Sequence, residues 1–306
     1  MFSISALHLF DVTITPLEMR LLLGWLGFSA IMASAWLMWR LTLNAGFVDS
    51  IWSFGVGLTA VLIAFVPMAD DVSELRRLVV TALVALWSAR LGGHIWHRSR
   101  HKGNDPRYMK LLDEWGPAAP LRMFIFLQIQ ALCSLPLFLT VALAAHHPAA
   151  GFDAFDTIAL ILAVMAVVGE AVADEQLRRY SAHHSSHGVC DVGLWRFSRH
   201  PNYFFEFLLW CALALFAIKA DGFIMSLLAL AGPLCMYWLL VYVSGVPLLE
   251  EHMVATRGEM YRDYQRRTHV FFPLPPRISQ SAIVSGDNIH FEHAFEQPKH
   301  QNRGEG

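Results

Sequence analysis

Seven apolar runs dominate this chain, at roughly 18–39, 47–67, 77–96, 122–145, 157–175, 203–219 and 222–243. Each is long enough, or nearly so, to cross a bilayer, which takes about 20 residues. In hydrocarbon every backbone N–H and C=O must be satisfied within the protein, so only helices or a closed barrel can span it. No period-2 alternation points to a barrel. The expected fold class is all-α: a polytopic integral membrane protein with about seven transmembrane helices plus a C-terminal interfacial amphipathic helix. Composition agrees, with 16% charged residues against about 25% in a soluble domain.

Three regions follow: 1–40, an N-terminal segment with the first span; 41–275, the membrane domain; and 276–306, a polar tail that reads as disordered. No basic stretch followed by a small-residue cleavage site opens the chain, so the first span is expected to serve as its own insertion signal. Lys219-Ala-Asp-Gly222 reads as a tight turn joining the last two runs into an antiparallel hairpin. The 248–272 segment reads as one amphipathic helix lying along the membrane interface.

Lysine and arginine in short loops set orientation. The 97–122 and 176–202 loops and the segment after 243 are rich in them, whereas 146–156 has none. The basic loops and the C-terminus are therefore expected in the cytoplasm. Arg76-Arg77 falls on the other side, amid Asp70, Asp71 and Glu74. A net charge of −2 gives no reason to expect a nucleic-acid partner. The four cysteines form no CxxC pair and read as small apolar packers.

The polar clusters all fall toward the basic side. Gly193-Leu-Trp-Arg-Phe-Ser-Arg-His-Pro-Asn-Tyr-Phe-Phe-Glu206 places Arg196, Arg199, His200, Asn202, Tyr203 and Glu206 at the mouth of an apolar run. Pro201 suits the first turn of a helix. Arginine forks grip phosphate or carboxylate, and Asn and Glu suit a ribose or an amide; the plain alternative is a positive flank with a helix cap. Glu170 and Asp174 share a helical face at the edge of the fifth run, either as ligand contacts or through a pairing of Asp174 with Arg178. Asp49 opens the second run as a helix-start acid or a proton donor. Arg107 and Tyr108, after Asp105-Pro106, face either a cofactor or solvent. His94, His97 and His101, with His183, His184 and His187, partly imitate the histidine boxes of di-iron membrane enzymes. Irregular spacing and basic neighbours oppose a cation there, so no metal site is expected.

The 193–206 stretch with Trp210 resembles the C-terminal signature of the steroid 5-alpha-reductase superfamily, and more closely its bacterial branch of membrane proteins of undefined substrate. Val48-Asp-Ser-Ile-Trp52, Arg90-Leu-Gly-Gly93, Asn104-Asp-Pro-Arg-Tyr108, Glu170-Ala-Val-Ala-Asp174, Pro247-Leu-Leu-Glu-Glu251, Tyr261, Tyr264 and Phe271-Phe-Pro273 extend the likeness over about 40–275. Isoprenylcysteine and phospholipid methyltransferases share parts of this C-terminal pattern.

The resemblance implies a seven-span NADPH-dependent reductase of a polarised C=C bond in a lipid. Asn202, Glu206, Asp174 and Tyr264 match its cofactor-lining positions, and Arg199 and Arg257 match more loosely. The family's second-span Glu and third-span Tyr have no clear counterpart; Asp49 and His94 are the candidate acids. The expectation is an inner-membrane reductase of a lipid-soluble enone, with NADPH held by Asp174, Arg196, Arg199, His200, Asn202, Tyr203, Glu206, Arg257 and Tyr264. Membrane lipids are the other expected contacts, and nothing calls for an obligate protein partner. The rivals are an S-adenosylmethionine-dependent methyltransferase and a non-enzymatic membrane scaffold.

Overall fold

Proline and glycine decide where the long apolar helices break. The computed structural model describes residues 8–9, 12–13, 15–67, 73–102, 105–147, 151–183, 188–218 and 223–277. Twelve helices run through the described residues: α1 Pro16–Thr42, α2 Val48–Phe65, α3 Glu74–Lys102, α4 Pro106–Trp115, α5 Ala119–Cys133, α6 Leu135–Ala145, α7 Ala154–His183, α8 Pro201–Ala217, α9 Phe223–Ala229, α10 Ala231–Trp238, α11 Val246–Arg257 and α12 Glu259–Arg267. A two-residue antiparallel pairing, His8–Leu9 with Val12–Thr13, precedes them.

Six helical segments are long and apolar enough to cross a membrane: Pro16–Thr42, Ala45–Phe65, Glu74–Arg100, Arg107–Ala145, Ala154–His183 and Ile224–Arg257. Pro201–Ala217 is a shorter apolar helix. The protein is thus an all-α polytopic membrane protein. Lys219–Gly222, Asp70 and Asp71, His184 and His187, and the tail from 278 lie outside the described residues.

Local chemistry explains the elements. Thr15 and Glu18 form a reciprocal capping box at the start of α1, with Pro16 in its first turn. Asp105 caps α4 through the Arg107 N–H, so the Asp-Pro sequence starts a helix here, not a free loop. Pro136 has no N–H for the Leu132 carbonyl, and α5 yields to α6 there. Pro233 likewise leaves the Ala229 carbonyl without its helical donor. The Thr140 hydroxyl of α6 donates to that carbonyl at 2.8 Å and accepts the Gly232 N–H at 2.8 Å. A side chain from a neighbouring helix thereby satisfies backbone that lipid would leave bare.

The core lies where α1, α2, α3, α6 and α8 meet, around Phe28, Trp87, Phe138, Trp210 and Phe216. Many of its members are alanines, as in other membrane bundles where small residues let backbones approach. Gly169 lets α7 close on α8, since a Cβ there would strike the Phe205 ring. Leu23, Leu58, Leu86, Ile161 and Met165 point outward and form part of a lipid-facing surface.

The expected single 248–272 helix is corrected to two, α11 and α12. Gly258 sits between them at φ 55° and ψ −130°, backbone that a side chain resists. Beyond α12 the chain runs alongside Ser198–Arg199: the Arg199 N–H donates to the His269 carbonyl at 2.8 Å, and the Ser198 hydroxyl donates to the Phe271 carbonyl at 2.7 Å. Phe271 then packs among Phe204, Phe207 and Tyr237. The C-terminal helices are therefore fastened to the start of α8.

At the end opposite the basic loops, Arg76 is fully buried. It donates to Asp156 at 3.0 and 2.6 Å and to the carbonyls of His147 and Gly151. An arginine on this side runs against the loop-charge rule. Its partner is Asp156, 80 positions away, in addition to whatever its acidic neighbours contribute.

Candidate active site

Three polar clusters gather toward the basic end, and α8 takes part in or adjoins each. The first joins the starts of α2 and α4. The Tyr108 hydroxyl donates to Asp49 Oδ1 at 2.6 Å. Arg107 forms an ion pair with Asp49 and donates to Asp105 through Nε and Nη2, each at 2.9 Å. Against the cost of burial, Arg107 holds the Asp105 carboxyl below its ordinary pKa. Tyr203, in the first turn of α8, lies within electrostatic reach of Arg107, Arg98, Asp49 and Asp105. His200 stacks on Tyr203, ring centroids 5.3 Å apart and 8° from parallel.

The second cluster is a staple. Arg199 donates to both Glu250 oxygens at 2.6 and 3.1 Å, and to the carbonyls of Gln265 and Thr268 at 3.1 and 2.7 Å. His200 Nε2 reaches the same Glu250 at 3.1 Å. Burial pulls the His200 pKa down, against the raising effect of Glu250. The Tyr264 hydroxyl donates to the Trp195 carbonyl at 2.5 Å; burial pushes its pKa well up.

The third cluster lies deeper, between α3, α7 and α8. Helical spacing builds it: Trp87 and Arg90 are i,i+3, Glu170 and Asp174 are i,i+4, and Glu206 and Trp210 are i,i+4. Arg90 forms an ion pair with Glu170 and donates to Asp174 at 3.1 Å. Both indoles donate to Glu206 Oε1, Trp87 at 2.7 Å and Trp210 at 3.2 Å. Glu206 Oε2 is buried with no hydrogen-bond partner among the described residues.

These contacts redistribute the candidate residues. The alternative pairing of Asp174 with Arg178 is not found: Arg178 donates to Glu175, and Asp174 pairs with Arg90. Asp49 accepts the Tyr108 hydroxyl and pairs with Arg107. His94 is exposed on α3 and makes no hydrogen bond or ion pair among the described residues, so it is not brought to the Asp49 cluster. Arg199 and Tyr264 have their polar atoms committed to protein. Asn202 is half-buried, Arg257 half-buried and Arg196 exposed, and their side chains have no hydrogen bond or ion pair among the described residues. Among the described residues no group of His, Cys, Asp and Glu is arranged to hold a metal.

Arg90 was not among the sequence candidates, and Tyr108 was read only as facing either a cofactor or solvent. Arg90 carried a usable signal, because an arginine inside an apolar run needs a partner. Tyr108 carried less, since its pairing with Asp49 depends on how α4 folds back against α2.

Comparison with known proteins adds the family. Residues 35–268 match the family described as protein of unknown function (DUF1295). The chain belongs to this family. DUF1295 is the steroid 5-alpha-reductase-like family that the sequence resembles. A relative is the uncharacterized protein C594.04c of Schizosaccharomyces pombe, 27% identical over 261 residues, which cover 76% of this chain and 73% of the relative. No solved structure matches the chain.

Proposed function

We propose that this DUF1295 protein is a membrane-embedded, NADPH-dependent reductase of a C=C bond conjugated to a carbonyl in a lipid. Its basic end faces the cytoplasm of a bacterial inner membrane. The observation that carries the reading is the 2.6 Å hydrogen bond from Tyr108 to Asp49, set beside Tyr203 and the first turn of α8. A carboxylate that orients a phenol makes a positioned hydrogen-bond donor for a carbonyl.

The residues present fit a nucleotide in part. Asn202, Arg196 and Arg257 have polar heads without a hydrogen bond or ion pair among the described residues, which suits ribose and phosphate. Glu206 Oε2 is a buried oxygen without a partner, which suits a carboxamide. Arg199 and Tyr264 do not fit, because the fold already uses them. NADPH, when bound, would supply a hydride. Tyr108, turning its O–H from Asp49 to the substrate carbonyl, stabilises the negative charge that develops on that oxygen. Asp49 acts through Tyr108, and Arg107 pairs with it. The surrounding helices exclude water from the reacting carbon.

A second reading is favoured by the third cluster, where three carboxylates face one arginine. A negative excess suits a cationic donor such as S-adenosylmethionine, as in the related methyltransferases. Binding to the purified protein in detergent separates the two. Saturable NADPH binding, with nucleotide oxidation on adding a lipid enone, supports the reductase; binding of S-adenosylmethionine alone overturns it.

A further inference from the structure

The deep cluster carries more negative charge than the protein around it balances. Among the described residues Arg90 is the cation that pairs with it, from α3; Glu170 and Asp174 face it from α7, and Glu206 faces it from α8. With every group ionised the sum is −2. Exposure differs sharply: the side chains of Arg90 and Asp174 are 20% and 23% exposed, that of Glu170 only 6%, and Glu206 as a residue 4%. Arg90 pairs with Asp174 on the more exposed side of the site and with Glu170 on the buried side. Glu170 and Glu206 are left inside, within electrostatic reach of each other.

The hydrogen bonds of Glu206 are one-sided. Both indole N–H groups end on Oε1, while Oε2 is buried and meets no donor among the described residues. An ionised carboxylate would leave that oxygen charged and unsolvated, which is costly in a low-dielectric interior. A neutral acid avoids the cost by carrying its proton on Oε2. The carboxylates do not converge as a metal cage requires, so the missing positive charge fits a proton.

We propose that Arg90, Glu170, Asp174 and Glu206 form a proton-binding site inside the helical bundle, in which Glu170 and Glu206 hold one proton between them at neutral pH. Asp174, the more exposed carboxylate, is where that proton exchanges with water. The site holds its proton whichever reaction the protein performs, and it is tested without nucleotide.

Infrared spectra of the full-length protein in phosphatidylcholine vesicles, recorded from pH 5 to pH 9 in H2O and D2O, test it. A neutral-carboxyl C=O band is expected at pH 7, shifting in D2O. The band should be lost in the Glu170→Gln/Glu206→Gln double variant and lost or displaced in each single variant. Asp174→Asn should move its disappearance to lower pH, since a like-charged neighbour is removed. Absence of the band from the unmodified protein at pH 7 overturns the proposal without reference to any variant. So does a band that survives unchanged in single variants eluting as monodisperse protein.

Discussion

A tyrosine hydroxyl at 2.6 Å from a carboxylate is the side-chain arrangement on which the proposed chemistry rests. Replacing Tyr108 with Phe removes the donor and little volume. Turnover should fall about 10²–10⁴-fold, with NADPH affinity within error of the unmodified protein; a loss of binding in place of turnover would assign Tyr108 to the nucleotide. At the other end, Arg76 and Asp156 are both fully buried. Asp156→Ala leaves a guanidinium without its anion and should cost about 3–5 kcal/mol, read from thermal unfolding in detergent. His146 offers a pH test. Burial, and then the Arg20 and Arg77 charges, lower its pKa to about 4. Its Nε2 meets the Ile63 carbonyl at 2.9 Å. The folded protein thus favours the neutral ring, and its contribution is complete above the ordinary value of about 6.5. Stability should fall as pH drops from there toward 4, and the fall should be shallower in His146→Gln.

Among elements, the break at Gly258 sets the direction of α12. Nothing lies within 4 Å of where a Cβ would stand, so Gly258→Ala tests backbone conformation alone. The expected cost is about 1–3 kcal/mol, with weaker fastening of α12 to the start of α8. Limited proteolysis after α11 would report it. This break was hidden in the sequence because the polar and apolar alternation of 248–272 runs through Gly258 without interruption. The apolar runs themselves were legible, since each carries its own reason to be a helix in lipid. Partnerships across the chain were not. Asp49 and Tyr108 are 59 positions apart, and Arg199 and Glu250 are 51 apart. Arg199 looked free for phosphate because nothing local shows that α11 and α12 fold back to use up its donors.

For the whole molecule, the gathering of Arg107, Arg199 and the C-terminal helices at one end and of Arg76 and His146 at the other sets a directional test. In a background without native cysteines, Arg196→Cys and Gly151→Cys should lie on opposite sides of the membrane. An impermeant maleimide added to intact cells should label position 151 and spare 196; the reverse would place the site where NADPH is absent. α8 is an apolar helix of only 17 residues, shorter than the six membrane-crossing segments, and it is packed against α6, α7 and α10. At about 1.5 Å per residue it extends about 26 Å, less than the roughly 30 Å of hydrocarbon. A helix that short is expected to be matched by a locally thinned bilayer beside it, where a polar head would sit nearer the level of the acyl chains than elsewhere.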